Sequence, residues 1–417
     1  MQNQYFISIF LDCRRAKANG KYPVKLRIFT PNPRKQKLYA TKFEFTEKEF
    51  QSIWATAKPR TEHKEVRNEI RAVELKAEEV AKSILPFSLS SFEKKYLRNK
   101  GDGSNIIYQY NEAVKKLKSN NSLSTASNYE LALKSFIEFL KTKKGKAHTS
   151  LTFADVTPDW LQKYENFMIN DLKRSRTTVS MYVRTLRTIF NNAIKENDVE
   201  PEMYPFGKGK YQPPTVRNVK KAFSKDNLKQ LFEVDPQTPE QKKAKDFWFF
   251  SYGCNGMNIK DIALLKNENL QGDKIIFYRA KTINTAKTDL KPVTVYLTDF
   301  TKEVIKNYAN MNSEKKEYLF PILTTKDTET VKHTKIKNFT RFINQNLKKL
   351  AVINGLTDEI STYWARHSFA TSAIRSGASM EFVMEALSHN NLKTTQNYFA
   401  GFEETDKREL MQKLMNF

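Results

Sequence analysis

Cysteine is almost absent from this chain of 417 residues. Cys13 and Cys254 stand far apart and fit no ligand or bridge spacing, which argues against a disulfide-stapled fold or a thiolate metal site. The five histidines (His63, His148, His333, His367 and His389) are scattered. No metal cluster is expected, and nothing suggests another cofactor. Long apolar runs are also missing, so a membrane is not an expected partner; Phe247–Tyr252 reads only as a short buried-helix segment. The opening MQNQYFISIF lacks the basic start and apolar core of a secretion signal, which points to the cytoplasm. Acidic residues are in deficit as well: 46 Asp and Glu against 71 Lys and Arg leave a formal charge of +25. Such an excess asks for a polyanion. Nucleic acid is the first candidate, because Lys and Arg gain affinity by displacing counterions from phosphates. A solvated cationic surface is the plain alternative.

The length exceeds what one ordinary core organises, so two or three domains are expected. Residues 1–86 read as a small sheet followed by a helix. In Tyr22–Phe29, Val24, Leu26 and Ile28 alternate with Lys25 and Arg27. Asn19-Gly20 marks a turn before this strand, and Leu38–Phe45 is a third strand. Thr46 with Glu49 has the form of a capping box. Val66, Ile70, Val73, Ala77, Val80 and Ile84 then recur at helical spacing. The basic outer face of the sheet suits a DNA groove, or equally a solvated surface. Residues 86–103 read as a linker.

Residues 104–200 read as a helical body. Tyr129, Leu133, Phe136, Ile137 and Leu140 mark one helix. Thr157-Pro158 opens a second, lined by Trp160, Leu161, Tyr164, Phe167 and Met168. Val179, Tyr182, Val183, Leu186, Ile189, Phe190 and Ala193 mark a third. Lys173, Arg174, Arg176, Arg184 and Arg187 form its basic side, suited to phosphate contact or to simple solvation. Pro201–Lys221, with four prolines and with Lys208, Lys210, Arg217, Lys220 and Lys221, reads as a stiff basic connector between bodies. Residues 222–417 form the last domain, opened by Ser224 as a helix cap. It is α-rich, with a short strand pair at Lys274–Tyr278 and Pro292–Leu297. The expected class is therefore mainly α and multidomain: a small N-terminal β-sheet plus helix, a helical body with one basic face, and an α-rich last domain with a small β-sheet.

The chemistry concentrates in Ser361–Ala400, which contains TYWARHSFAT, SGAS and EALSHNNLKTTQNYF. A helix pair here presents Arg366, His389 and Tyr398 at its ends, where the three can gather around one phosphate. A tyrosine oxygen can attack a phosphodiester and form a reversible phosphotyrosine. An arginine can grip two phosphate oxygens and stabilise the charge that develops on them. A histidine or lysine can hold a phosphate oxygen or protonate the leaving oxygen.

In order and spacing, Arg366-His367, Leu387-Ser388-His389 and Tyr398 resemble the motifs of the tyrosine recombinases, also called the lambda-integrase family. Lys281 in YRAKT falls where that family carries a catalytic lysine in a strand turn. The resemblance covers the chain from about Ser104 onward, and the N-terminal sheet plus helix is similar to the arm-type DNA-binding module of phage and conjugative-transposon integrases. It implies Tyr398 as nucleophile, Arg366 as phosphate clamp, His389 as phosphate-oxygen donor and Lys281 as general acid, with His367 in a supporting role. It also implies a tetramer on two double-stranded DNA sites, with accessory DNA-bending or excision proteins as further partners. The terminal stretch Gly401–Phe417, with Leu410, Met411, Leu414 and Met415 as its apolar side, would pack on a neighbouring protomer or on its own domain.

Two positions depart from the family pattern. Asn258, in Gly256–Asp261, occupies the slot of the family's first arginine, and Tyr363 replaces the histidine three residues before Arg366. Losing a charged donor at a developing oxyanion costs about 3 kcal/mol of transition-state stabilisation. Lys260, Lys266 and Arg279 are the cations nearest in sequence that could replace it. Some mobile-element integrases of this family also lack the first arginine. Integration and excision of a mobile element is the expected role. A catalytically inactive DNA-binding regulator, a DNA invertase of the family and a type IB topoisomerase-like enzyme are the alternatives.

Overall fold

The computed structural model describes residues 4–99, 101–144, 150–215, 221–283, 291–310 and 314–415, and the chain divides into two compact units at Thr215/Val216. The first unit opens with an antiparallel sheet of β1 (Phe6–Leu11), β2 (Tyr22–Pro31) and β3 (Arg34–Phe45), with β2 central. Val24, Leu26 and Ile28 are fully buried on one face. Each such side chain removed from water contributes roughly 1.5–3 kcal/mol. Lys25 and Arg27 lie on the other face. Lys25 pairs with Asp12 at 2.7 Å and Arg27 Nε donates to Ser8 at 3.1 Å. The Thr46/Glu49 box starts the single-turn helix α1 (Glu47–Phe50), and α2 (Lys64–Lys82) lays Ile70, Ala77 and Ala81 on the sheet core.

Residues 86–103 are not a plain linker. Ser88 caps α3 (Leu89–Tyr96), and Phe92 is buried in the sheet-and-helix core. Arg98 Nη1 then donates to Asp198 at 2.6 Å and Lys94 pairs with Glu196 at 2.8 Å, tying this segment to the helical body. The polar composition that suggested a linker supplies the ion pairs instead. The helical body comprises α4 (Ile106–Ser119), α5 (Leu123–Lys144), α6 (Pro158–Asn166) and α7 (Arg176–Lys195). Its aromatic core is built around Tyr110, Phe136, Phe153, Tyr164 and Phe190. Thr157 caps α6 by accepting from the Trp160 amide. The body extends past residue 200, because Phe206 and Tyr211 are buried in the same core. The proline-rich stretch 201–211 is thus part of a folded body and not a connector. Proline density marked the absence of regular structure, not the absence of packing. Arg217 and Lys220 lie outside the described residues.

In the second unit, Ser224 caps α8 (Lys225–Glu233). The centre is α9 (Pro239–Gly253), whose Phe247, Trp248, Phe249 and Phe250 are all buried. Four buried residues in succession cover a full turn, so this end of the helix has to be surrounded. Short α10 (Ile259–Leu264) leads to the antiparallel sheet β4 (Leu270–Gln271), β5 (Lys274–Phe277) and β6 (Val293–Tyr296). The β5–β6 pair is the one legible in the sequence; β4 is too short to leave a pattern. There follow α11 (Asp299–Tyr308), α12 (Glu329–Ile353), α13 (Thr362–Arg375), α14 (Met380–Ala386), α15 (Leu392–Gln396) and α16 (Glu404–Leu414). Among the described residues no helix is long and apolar enough to cross a membrane.

Candidate active site

The helices α13, α14 and α15 bring Arg366, His389 and Tyr398 to one place. Arg366 lies one turn into α13 and is 4% exposed. Its Nη1 donates to the Gly256 carbonyl at 3.0 Å, and its Nη2 donates to the Leu387 carbonyl and lies 3.2 Å from His389 Nε2. Its Nε is buried without a hydrogen-bond partner among the described residues. Burial first, then the charge of Arg279, brings its pKa down to about 10. The guanidinium stays charged near neutrality at an unfavourable desolvation cost that an arriving anion would offset. Gly256 fits here because a Cβ at that position would stand 2.8 Å from Arg366 Cα, and its φ is +63°.

Leu387 ends α14, and Ser388 turns in the left-handed region at φ +51°. The Ser388 and His389 amides close on the Glu385 and Met384 carbonyls, a Schellman-type stop. This turn aims the Leu387 carbonyl at Arg366 and swings His389 back into the site. His389 is 9% exposed and its Nδ1 lies 3.1 Å from Thr395 Oγ1. Burial, then Arg366, Arg279 and Lys281, push its pKa down to about 3. The imidazole is therefore neutral. Its Nε2 accepts from Arg366, and Nδ1 carries the proton toward Thr395.

Asn391 caps α15, and Tyr398 follows directly after it. The Arg366 guanidinium carbon lies 5.5 Å from the Tyr398 ring centre. His367 stacks on that ring at 4.6 Å and 28°. The Tyr398 carbonyl faces His367 Nδ1 and the Thr371 hydroxyl, each at 3.3 Å, and Thr371 also receives the Ala400 amide at 3.1 Å. Burial lowers the pKa of His367, so it serves as a neutral support. The Tyr363 hydroxyl lies 2.6 Å from that of Tyr398. Partial burial and this hydrogen bond raise the Tyr363 phenol above its ordinary range. Thr371 was not singled out in the sequence, because a threonine in a helix carries no motif; only its full burial against the Tyr398 backbone reveals its role.

Lys281 lies in the turn after β5 and is exposed, close enough to depress His389. Asn258 is half-buried and precedes α10 without capping it through its side chain. Of the three cations considered as replacements, Lys260 is exposed and Lys266 pairs with Glu268 at 3.5 Å. Arg279, by contrast, is 8% exposed, with its Nη1 3.4 Å and 3.3 Å from the Leu387 and Ser388 carbonyls. In the first unit Lys173, Arg174, Arg176, Arg184 and Arg187 are exposed, as expected of a phosphate-facing or solvated side. Arg187 also donates to the Tyr204 hydroxyl at 3.0 Å. Lys208 is exposed, while Lys210 bends back onto the Tyr204 carbonyl at 2.6 Å.

Two family models match: the phage integrase SAM-like domain over residues 105–212 and the phage integrase family over residues 221–404. Tyrosine recombinase XerA of Thermococcus kodakarensis is 28% identical over 248 residues, 58% of this chain and 78% of that protein. Tyrosine recombinase XerC of Listeria monocytogenes is 27% identical over 285 residues, 67% of this chain and 87% of that protein. Among solved structures, the Tn1549 transposon integrase in complex with transposon right end DNA aligns with a TM-score of 0.52 at 15% identity, covering 74% of this chain and 99% of that one. A lambda integrase dimer bound to a COC′ core site aligns with a TM-score of 0.51 at 13% identity, covering 70% and 95%. These two likenesses show the fold.

Proposed function

The chain belongs to the tyrosine recombinases of the lambda-integrase family and is a site-specific DNA recombinase, and from that premise we propose that it integrates and excises a mobile element through a 3′-phosphotyrosine on Tyr398. The observation that carries the assignment is the convergence of Tyr398, Arg366 and His389 from three helix ends onto one buried, cation-rich spot.

Tyr398 Oη attacks the phosphorus and the bond to O5′ breaks. The phenolic proton leaves to solvent, and Lys281 supplies the proton that caps the O5′ leaving group. Arg366 holds the non-bridging oxygens, where charge builds in the transition state. Phosphate entry places negative charge beside His389, which favours its protonated, donating form. Reversal by a 5′-hydroxyl from a partner strand rejoins the DNA and keeps the bond energy throughout, so the residues in place can perform the transfer themselves. The Tyr363 hydroxyl holds the Tyr398 hydroxyl in position until DNA arrives.

The basic sides of the two bodies in the first unit bind double-stranded DNA, with Lys173, Arg174, Arg176, Arg184, Arg187 and Lys208 on the helical body and the outer face of the sheet as arm-binding module. Four copies assemble on two sites. Leu410, Met411 and Leu414 of α16, each more than half exposed, dock on a neighbouring copy. The separate N-terminal module favours integration and excision over inversion.

The test is covalent capture on a nicked suicide duplex built from the ends of the element that carries the gene. Wild type should give a shifted band on a denaturing gel and Tyr398→Phe none. Tight site-specific binding with no band from either would leave an inactive DNA-binding regulator, the reading that Asn258 and Tyr363 favour.

A further inference from the structure

We propose that Arg279 supplies the second phosphate-binding guanidinium of this active site, standing in space where Asn258 leaves the family's charge unfilled in sequence. The proposal rests on the recombinase reading and names a residue for the same reaction.

Burial comes first. Arg279 is 8% exposed, although it sits in the turn that follows β5, the middle strand of the small sheet. A buried cation needs a counter-charge or a full set of acceptors. Arg279 has neither. Its two contacts among the described residues, with the Leu387 and Ser388 carbonyls, are long at 3.4 Å and 3.3 Å, and its Nε is buried with no partner among them. Arg366 has the same defect at its own Nε and uses the same Leu387 carbonyl. Two guanidiniums thus converge on one carbonyl oxygen, each with an unused buried donor. Unsatisfied buried donors in pairs ask for a missing acceptor.

The charge count agrees. Asp261 is the buried carboxylate at this place. It is 6% exposed, and its Oδ1 accepts from the Ala280 amide at 2.9 Å, which anchors the turn carrying Arg279. Two buried guanidiniums against one carboxylate leave an excess of positive charge beside neutral His389, the complement of a phosphodiester. The field of Arg279 is already felt by its neighbours, since it contributes to the lowered pKa of both Arg366 and His389. An anion bound between the two arginines would relieve that repulsion. In the transition state the non-bridging oxygens gain charge, and two guanidiniums stabilise that charge where one would leave part of it uncompensated.

The experiment uses the full chain on two versions of the nicked suicide duplex, one with an ordinary scissile phosphodiester and one with a neutral methylphosphonate at that position. Arg279→Ala should form the covalent complex about 100- to 1000-fold more slowly on the phosphodiester, with duplex affinity nearly unchanged and Arg279→Lys in between. On the methylphosphonate there is less charge to neutralise, so the gap to wild type should shrink by about tenfold or more. A support role through packing would leave the same gap on both substrates, and that result would overturn the proposal, as would wild-type rates in Arg279→Ala. If alanine unfolds the domain, Arg279→Lys against Arg279→Gln carries the same comparison. Wild type that forms no covalent complex on either duplex would instead overturn the recombinase reading, and this proposal with it.

Discussion

His389 shows how one residue carries the electrostatics of the site into the stability of the fold. Its folded pKa of about 3 lies below the usual 6.5, so the unfolded chain takes up the proton first as pH falls. Stability is lost between 6.5 and 3, by up to about 1.4 kcal/mol per pH unit, and is unaffected above that window. His367 shifts in the same direction. Thermal unfolding of wild type and His389→Asn should therefore diverge below pH 6.5, with wild type losing stability faster, and run parallel above it. Parallel curves throughout would mean that His389 is already charged in the folded protein. Arg366 is charged at every relevant pH, and Tyr398 is positioned by stacking on His367 and by its backbone bond to Thr371.

At the scale of elements, the site depends on how α14 stops. Ser388 adopts φ +51°, which costs a residue with a Cβ about 1 kcal/mol, and the turn it makes delivers the Leu387 carbonyl to both arginines. Ser388→Gly should raise the unfolding midpoint by about 2–4 °C, and Ser388→Val should lower it, because a β-branched side chain tolerates that region worst. A lower midpoint for the glycine variant would show that the serine hydroxyl contributes more than the backbone strain removes. The capped starts of α14 at Ser379 and α15 at Asn391 hold the two short helices on either side of this turn. Neither is long enough to be stable alone.

At the scale of the molecule, a charge of +25 on 417 residues makes DNA affinity a function of salt. The plot of log affinity against log salt should be steep and linear. Arg176→Ala and Arg184→Ala should each reduce its slope by about 1 and weaken binding to specific and random duplexes alike. An unchanged slope would assign that side of α7 to solvent. The first unit also holds together more firmly than its composition suggested. Arg98–Asp198 and Lys94–Glu196 join the sheet module to the helical body across the stretch that read as a linker.

Local signals were legible in the sequence because their physics is local. The alternation of Val24, Leu26 and Ile28 is the pleat of β2. Thr46 with Glu49, Thr157 and Ser224 satisfy amides within three residues of themselves. The order of Arg366, His389 and Tyr398 reflects three neighbouring helix ends in one short stretch. The mainly α class with its small sheets followed from hydrophobic periods. What only the tertiary structure decided involves partners far apart in the chain. Phe92, Phe206 and Tyr211 look like linker residues until the cores that bury them are formed. Thr371 is an ordinary helical threonine until the chain returns 27 residues later with the Tyr398 carbonyl. Lys260, Lys266 and Arg279 were equivalent as charges near Asn258. Folding separates them, leaving Lys260 in water, pairing Lys266 with Glu268, and burying Arg279 against a carbonyl 108 residues away. The cost of burying a charge depends on that surrounding, and no window of the sequence contains it.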